Sequence, residues 1–184
     1  SAHTPSLGFA LKRGEVRFGI LLVLMAGIGP RTAASLLGPY LIDNGLDLAT
    51  LGILNGSAAV GAGVAGTFMG GLLVQSLGAR RAALVAVALH ASVLAALIGL
   101  LYFQHATLPT LVGVQVALTI SMATGFVATY ALLMGASSLR QAGVDFTLFQ
   151  CADAAIATIG GMAGGVAAHT IGYANVFNVA AVCA

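Results

Sequence analysis

The chain has 184 residues, of which seven are basic, five are acidic and 59% are hydrophobic. Charged residues make up 7% of the chain, against about 25% in soluble domains, which excludes a soluble domain and a disordered chain. The net charge of +2 leaves no basic face for binding nucleic acid. The composition therefore predicts an all-α membrane protein that crosses the bilayer several times.

A short polar segment precedes the apolar segments. Residues 1–17 hold four charged side chains and are predicted to be a cytoplasmic linker. A membrane-spanning helix needs about 20 mostly apolar residues. The last apolar segment stops with the chain, which predicts a truncated helix in a fragment of a longer protein. Together the apolar segments form a transmembrane domain, 18–184, with predicted spans at 18–42, 50–75, 82–102, 108–134, 146–168 and 174–184.

Basic residues are distributed unevenly between the two sides of the predicted bundle. One side holds Lys12, Arg13, Arg17, Arg80, Arg81 and Arg140. The connections on the other side hold no Lys or Arg; they contain Asp43, Asp47 and His105. Because cytoplasmic connections are enriched in Lys and Arg, the sequence predicts a cytoplasmic N-terminus in an inner membrane.

Two glycine-rich stretches are related by an offset of 94 residues. Gly70, Gly71 and Gly78 near the end of the second span match glycines at 164, 165 and 172 near the end of the fifth. This offset covers three helices, so the two copies have opposite orientations, as in the inverted repeats of secondary transporters. The alternative is that paired glycines are simply common in a glycine-rich membrane protein. Glycine pairs spaced four apart also predict close helix packing, at 52/56, 66/70, 160/164 and 161/165.

The loop after the second span resembles the signature loop of the major facilitator superfamily, Gly-x-Leu-x-Asp-x-x-Gly-x-Arg-Arg. Its matching positions include Gly71, Gly78, Arg80 and Arg81, while Gln75 stands where the family has an acid. The run 141–154 resembles the siderophore-permease branch, which is close to muropeptide and acetyl-coenzyme A permeases. The resemblance implies half of a major facilitator fold with 3+3 inverted helix repeats. The partner would then be the N-terminal six-helix half of the same transporter.

Arg31 is the most informative single residue, because it lies about 20 Å along the first predicted span. A guanidinium at the bilayer midplane costs at least about 2.5–3.5 kcal/mol unless it faces protein or water, and such residues mark functional sites. We expect Arg31 to bind an anionic group of a solute through two parallel hydrogen bonds. The alternative is a structural ion pair between two helices.

Asp153 in the fifth span is the second buried charge. Carboxylates inside membranes often serve proton relays, so Asp153 is the candidate for proton coupling. The resemblance places the first and fifth spans side by side, so Asp153 and Arg31 could meet although their estimated depths differ by about 9 Å. The alternatives are a fixed bridge to Arg31 or a capping role near the start of the helix.

Three uncharged polar residues complete the candidate site. Gln115 and Thr119 share one face of the fourth span at helical spacing, and Asn55 lies in the second span. The resemblance implies that the fourth span lines the solute cavity, so these residues are candidate solute contacts. Hydrogen bonding between helices is the alternative for each. His90 in the third span is interpreted as a hydrogen-bonded structural histidine.

Enzyme chemistry has no support in the sequence. The chain contains no protease motif and no ATP-binding loop, and Cys151 and Cys183 lack the spacing of a metal site or disulfide. We therefore predict neither a cofactor nor a metal. The sequence favours a permease that moves a small organic solute by alternating access, coupled to protons. The branch resemblance implies siderophore uptake, with muropeptides or another small solute as the alternative; a non-transporting membrane subunit or receptor stays open as a different class.

Overall fold

The computed structural model describes residues 7–136 and 142–183, and within these ranges every regular element is a helix. The expected all-α class is therefore confirmed for this part of the chain. A π-helical turn, Leu54–Ala58, lies inside the third helix. The helices are α1 (Leu7–Lys12), α2 (Gly14–Asp43), α3 (Leu48–Leu77), α4 (Ala79–Tyr102), α5 (Leu108–Ala136), α6 (Ala142–Ile171) and α7 (Tyr173–Val182).

Five of these helices, α2 to α6, are long and apolar enough to cross a membrane. Three of them have 30 residues, which corresponds to about 45 Å and exceeds the roughly 30 Å of hydrocarbon in a bilayer. Short turns join α2 to α3, α3 to α4 and α4 to α5 within the described residues, so these successive helices run in opposite directions. Length and composition together indicate an integral membrane protein.

The helix ends differ from the predicted spans in ways that polar residues explain. Helix α2 begins at Gly14, inside the predicted linker, with Glu15 in its first turn, where a negative charge is favourable. Helix α3 begins after Asp47, whose carboxylate accepts hydrogen bonds from the Thr50 hydroxyl and, at 2.9 Å, from the Thr50 backbone N–H. These bonds lower the pKa of Asp47. Arg140 of the orientation argument and Gln141 of the branch-like run lie outside the described residues.

Single glycines join two pairs of helices in the same conformation. Gly78 between α3 and α4 has φ 78° and ψ 157°, and Gly172 between α6 and α7 has φ 81° and ψ 154°. A positive φ is strained for residues that carry a Cβ. One of the three glycine pairs of the 94-residue offset, Gly78 and Gly172, is thus required by the backbone at a helix junction.

Helix packing follows a simple scheme. Helix α3 packs along α5, and α2 packs along α6. Helix α4 packs on α5, while α7 packs on α2. The consecutive pairs α3–α4 and α6–α7 are also in contact, as are α4 and α7. The centre of the bundle is therefore formed by α2 and α5, with α3 and α6 beside them.

Two apolar clusters lie at opposite ends of this bundle. At the end that holds Asp47, residues such as Leu37, Leu94, Leu118 and Phe177 bring α2, α4, α5 and α7 together. At the end that holds Gly78, a smaller cluster joins α2, α5 and α6 around Val16 and Phe149, among others. The candidate site lies between these clusters.

Four glycines allow close approach between helices. A Cβ added at Gly66 or Gly70 of α3 would collide with the backbone of α5, at 2.9 Å from the Thr124 carbonyl oxygen in the case of Gly70. A Cβ at Gly160 of α6 would lie 2.7 Å from the Thr32 hydroxyl oxygen, and one at Gly164 would lie 2.9 Å from the Thr32 methyl group. By contrast, the predicted pair 52/56 meets nothing within 4 Å.

Replacing Gly66 with alanine should test this close approach. The added methyl group would collide with the backbone of α5, so we expect the free energy of unfolding to fall by about 1–3 kcal/mol. The matched control is Gly61→Ala on the same helix, where nothing lies within 4 Å and alanine gains about 1 kcal/mol of helix propensity. Thermal unfolding in detergent measures both; equal melting temperatures would contradict the packing described here.

Candidate solute and proton site

A cavity of about 70 Å³ that contains several polar side chains lies among α2, α4, α5 and α6. Its wall is mostly apolar, and its polar side chains come from all four helices: Arg31, His90, Thr129, Tyr130 and Asp153. A space of this size can hold a few water molecules. The cavity thus brings together the two charges that the sequence predicted as functional.

Arg31 and Asp153 form an ion pair between α2 and α6. The Arg31 Nε donates to Asp153 Oδ1 at 3.2 Å, and Nη2 donates to Asp153 Oδ2. This is the two-bond fork that a guanidinium makes with a carboxylate. The difference in depth estimated from the sequence therefore does not keep the two side chains apart.

The pair is partly accessible rather than sealed in the protein. The Arg31 side chain is 30% exposed and the Asp153 side chain 17%. Both belong to membrane-spanning helices, where each charge needs a partner or water. The two charges cancel, so the pair is neutral as a unit.

His90 contributes a ring to the same cavity. Its Nδ1 lies 2.8 Å from the Ala86 carbonyl oxygen, so Nδ1 carries the hydrogen and donates it. The ring lies against Gly125, where an added Cβ would be 2.5 Å from its Cε1. In this tautomer Nε2 is left as a hydrogen-bond acceptor.

Tyr130 is a site residue that the sequence reasoning missed. It is only 7% exposed, and its hydroxyl oxygen is buried with no hydrogen-bond partner in the part of the chain that is described. Phe126 and Phe146 hold its ring, with centroids 4.3 and 5.3 Å away. Buried tyrosine hydroxyls normally have a partner, so the hydroxyl of Tyr130 indicates a place for a ligand or water.

The uncharged candidates form a second, separate group. Gln115 Nε2 donates to Asn55 Oδ1 at 3.4 Å, and the Thr119 hydroxyl donates at 2.9 Å to the Gln115 carbonyl oxygen. Asn55 lies in the π-helical turn of α3, and such turns are frequent at functional sites. None of the three lines the cavity of Arg31 and Asp153. The structure therefore places the five predicted residues in two groups, the ion pair and this group of three, which do not share one pocket.

The residues of the signature-like loop lie at the end of the bundle that holds Gly78. Gly71 is exposed, and a Cβ there would meet nothing within 4 Å. Arg80 and Arg81 are exposed in the first turn of α4, where the helix dipole disfavours positive charge.

A second ion pair at this end was also missed. Arg13, between α1 and α2, donates from Nη1 to Asp145 Oδ2 of α6 at 2.6 Å. It also contacts Glu15 at 2.5 Å. Asp145 is fully buried. The sequence signal was an acidic residue directly before an apolar run.

Comparison of the chain with protein-family models, curated proteins and solved structures finds no match.

Proposed function

We propose that the protein is a secondary active transporter of the inner membrane, related to the C-terminal half of major facilitator proteins. It moves a small organic solute by alternating access and is coupled to protons. The resemblance of the run 141–154 points to siderophore uptake, with muropeptides or another small solute as the alternative. The observation that carries the proposal is the Arg31–Asp153 pair in an accessible cavity between membrane-spanning helices.

The packing scheme supports an inverted repeat. An inverted repeat relates α2, α3 and α4 to α5, α6 and α7, respectively. The contact between α3 and α5 then corresponds to that between α6 and α2, and the contact between α4 and α5 to that between α7 and α2. All four contacts are present. The glycines follow the same rule. Gly66 and Gly70 contact α5, and their counterparts 94 residues later, at 160 and 164, contact α2. Three-helix inverted repeats of this kind build secondary transporters, with solute sites near the membrane midplane.

The ion pair supplies a means of coupling. A proton that binds to the Asp153 carboxylate removes its negative charge and frees the Arg31 guanidinium to bind an anionic group of the solute. Loss of that proton on the other side restores the pair, and the solute leaves. The proton and the solute both favour the state in which the ion pair is open, so the binding of each strengthens the binding of the other. Asn55, Gln115 and Thr119 would then contact another part of the solute.

The exposed faces of α3 and α6 support a partner half. Large apolar side chains form a stripe with a spacing of four along α3, at Val60, Val64, Phe68 and Leu72. Helix α6 exposes a similar set, at Ile159, Met162 and Val166. These two helices are the least buried of the five spans. We assign these faces to the N-terminal six-helix half and to lipid.

The orientation of the bundle is open to a direct test. Since Arg80 and Arg81 are exposed at one end and Asp47 at the other, we expect the first end to be cytoplasmic. Reporter fusions at residues 45 and 138 should therefore report the outside and the inside, respectively. The same side for both would mean that the number of spans between them is even.

A non-transporting subunit or receptor is the second candidate, and the mutual satisfaction of Arg31 and Asp153 favours it. Such a protein needs no water at the pair. With Cys151 and Cys183 replaced by alanine, a cysteine at position 31 should react with a water-soluble thiol reagent if the cavity is a solute path. The control is Leu37→Cys, whose position is fully buried on the same helix. Equal protection of both cysteines would favour the second candidate.

A further inference from the structure

The cavity contains hydrogen-bond donors that the protein leaves unused. Asp153 occupies Nε and Nη2 of Arg31, which leaves Nη1 without a partner among the described residues. The Tyr130 hydroxyl is buried and has no partner there either. An unused donor that is buried costs about 1–3 kcal/mol. That cost applies to the Tyr130 hydroxyl, whereas the Arg31 side chain is 30% exposed. Because both residues line one cavity, an acceptor bound there would satisfy both donors.

The volume limits what that acceptor can be. About 70 Å³ is enough for a few water molecules, and a carboxylate group has only three heavy atoms. Carboxylates match a guanidinium in shape and form short, charge-assisted bonds with it. The cavity is open on one side, so the acidic group of a larger solute can enter it while the rest of that solute lies outside.

The charge of the cavity sets a second condition. Arg31 and Asp153 sum to zero, and burial of His90, whose Nδ1 donates to the Ala86 carbonyl oxygen, favours the neutral ring. A carboxylate that entered alone would therefore leave one uncompensated negative charge among membrane-spanning helices, which is strongly unfavourable. If one proton enters with it, the cavity stays neutral.

We propose that this cavity binds one carboxylate group together with one proton. Arg31 and the Tyr130 hydroxyl hold the carboxylate, and Asp153 takes the proton and releases the guanidinium. The titratable groups that line the cavity are Arg31 from α2, His90 from α4, Tyr130 from α5 and Asp153 from α6. No covalent bond forms or breaks except that of the proton to an Asp153 oxygen. The inference rests on the proposed function, because carboxylate and proton binding would serve transport. Its test measures binding alone and needs no transport.

Equilibrium binding of acetate to the purified full-length protein in detergent tests the proposal. Calorimetry gives Kd, and an indicator dye in weak buffer gives the protons taken up. We expect one proton per acetate and, above the pH at which the site is half loaded, a Kd that rises about tenfold per pH unit. Absence of acetate binding, or binding without proton uptake, would overturn the proposal.

Three variants test which residue helps to hold the acetate and which residue takes up the proton. Tyr130→Phe removes one donor to a charged group and should weaken acetate binding by about tenfold or more. Its control is Tyr102→Phe, because Tyr102 is 80% exposed and outside the cavity. Asp153→Asn should bind acetate with no proton uptake and with little dependence on pH. Proton uptake that persists in Asp153→Asn would refute its role as proton acceptor.

Ligand size separates the two sources of a carboxylate. If the site takes a free small acid, affinity should fall from acetate to butyrate to benzoate; if it takes the acidic group of a larger solute, the three should bind alike. The result is also independent of the proposed function. Acetate binding with a proton in a protein that moves no solute into liposomes would uphold the site and refute the transporter. Solute uptake without acetate binding would refute the site and uphold the transporter.

Discussion

Arg31→Ala is expected to lower solute uptake by more than about 100-fold while the protein still inserts into the membrane. The substitution removes both bonds to Asp153 and the charge that would hold an anionic solute. Truncating one partner of a buried, hydrogen-bonded charge pair costs about 2–5 kcal/mol. Uptake divided by the amount of protein in the membrane is the relevant measurement.

Arg31→Lys should be nearly as inactive, because a single ammonium cannot reproduce the two-bond fork of the guanidinium. The control is Arg17→Ala, since Arg17 is on the same helix, is exposed and lies outside the cavity. We expect Arg17→Ala to transport like the original protein. Full activity in Arg31→Lys would show that charge alone is enough and that the geometry of the pair has no part in binding.

Asp153→Asn is expected to abolish accumulation of solute against a gradient while exchange across the membrane continues. The amide resembles the protonated acid in shape and charge, so Arg31 stays free for solute, but no proton can be loaded or released. Counterflow in liposomes measures exchange, and uptake driven by a pH gradient measures accumulation.

The matched control for Asp153→Asn is Asp43→Asn. Asp43 accepts a hydrogen bond from the Tyr173 hydroxyl at 2.9 Å at the far end of α2, away from the cavity. It should retain accumulation. Accumulation that persists in Asp153→Asn would contradict proton coupling through this carboxylate.

Most of the helical architecture could be predicted from the sequence, because uninterrupted apolar segments leave few other structures in a membrane. The ends were harder to predict. Gly14 and Ala142 begin their helices four residues before the apolar runs at 18 and 146, since polar residues such as Glu15 are favourable in a first helical turn. The π-helical turn around Asn55 has no counterpart in the hydrophobic pattern.

Glycine spacing shows where sequence reasoning stops. All four predicted pairs have the spacing that allows close helix approach, but only Gly66/Gly70 and Gly160/Gly164 have both members in tight contact with a neighbouring helix. A Cβ added at Gly161 would lie at an ordinary 3.5 Å from the Ser35 Cβ, and one added at Gly165 would meet nothing within 4 Å. The rotation of each helix about its axis decides which face meets a neighbour, and spacing along one helix does not contain that rotation.

The candidate site divides in the same way. Arg31 and Asp153 could be found because charges inside apolar segments are rare and costly. Tyr130 could not, because its significance lies in a hydroxyl that the surrounding Phe126 and Phe146 leave without a partner. The polar pair Asn55 and Gln115 was predicted as part of one solute surface, whereas the structure places it outside the cavity.

The most direct test of the central claim, that Arg31 serves the solute and does more than bridge two helices, is uptake by Arg31→Ala, Asp153→Ala and the double variant. Each value is divided by the amount of protein in the membrane. If the pair were only structural, each single change would leave one buried charge unpaired, and removing both would relieve that cost. We predict that the double variant inserts as well as the original protein and transports no solute. Recovery of uptake in the double variant would contradict the account and leave Arg31 and Asp153 as a structural bridge.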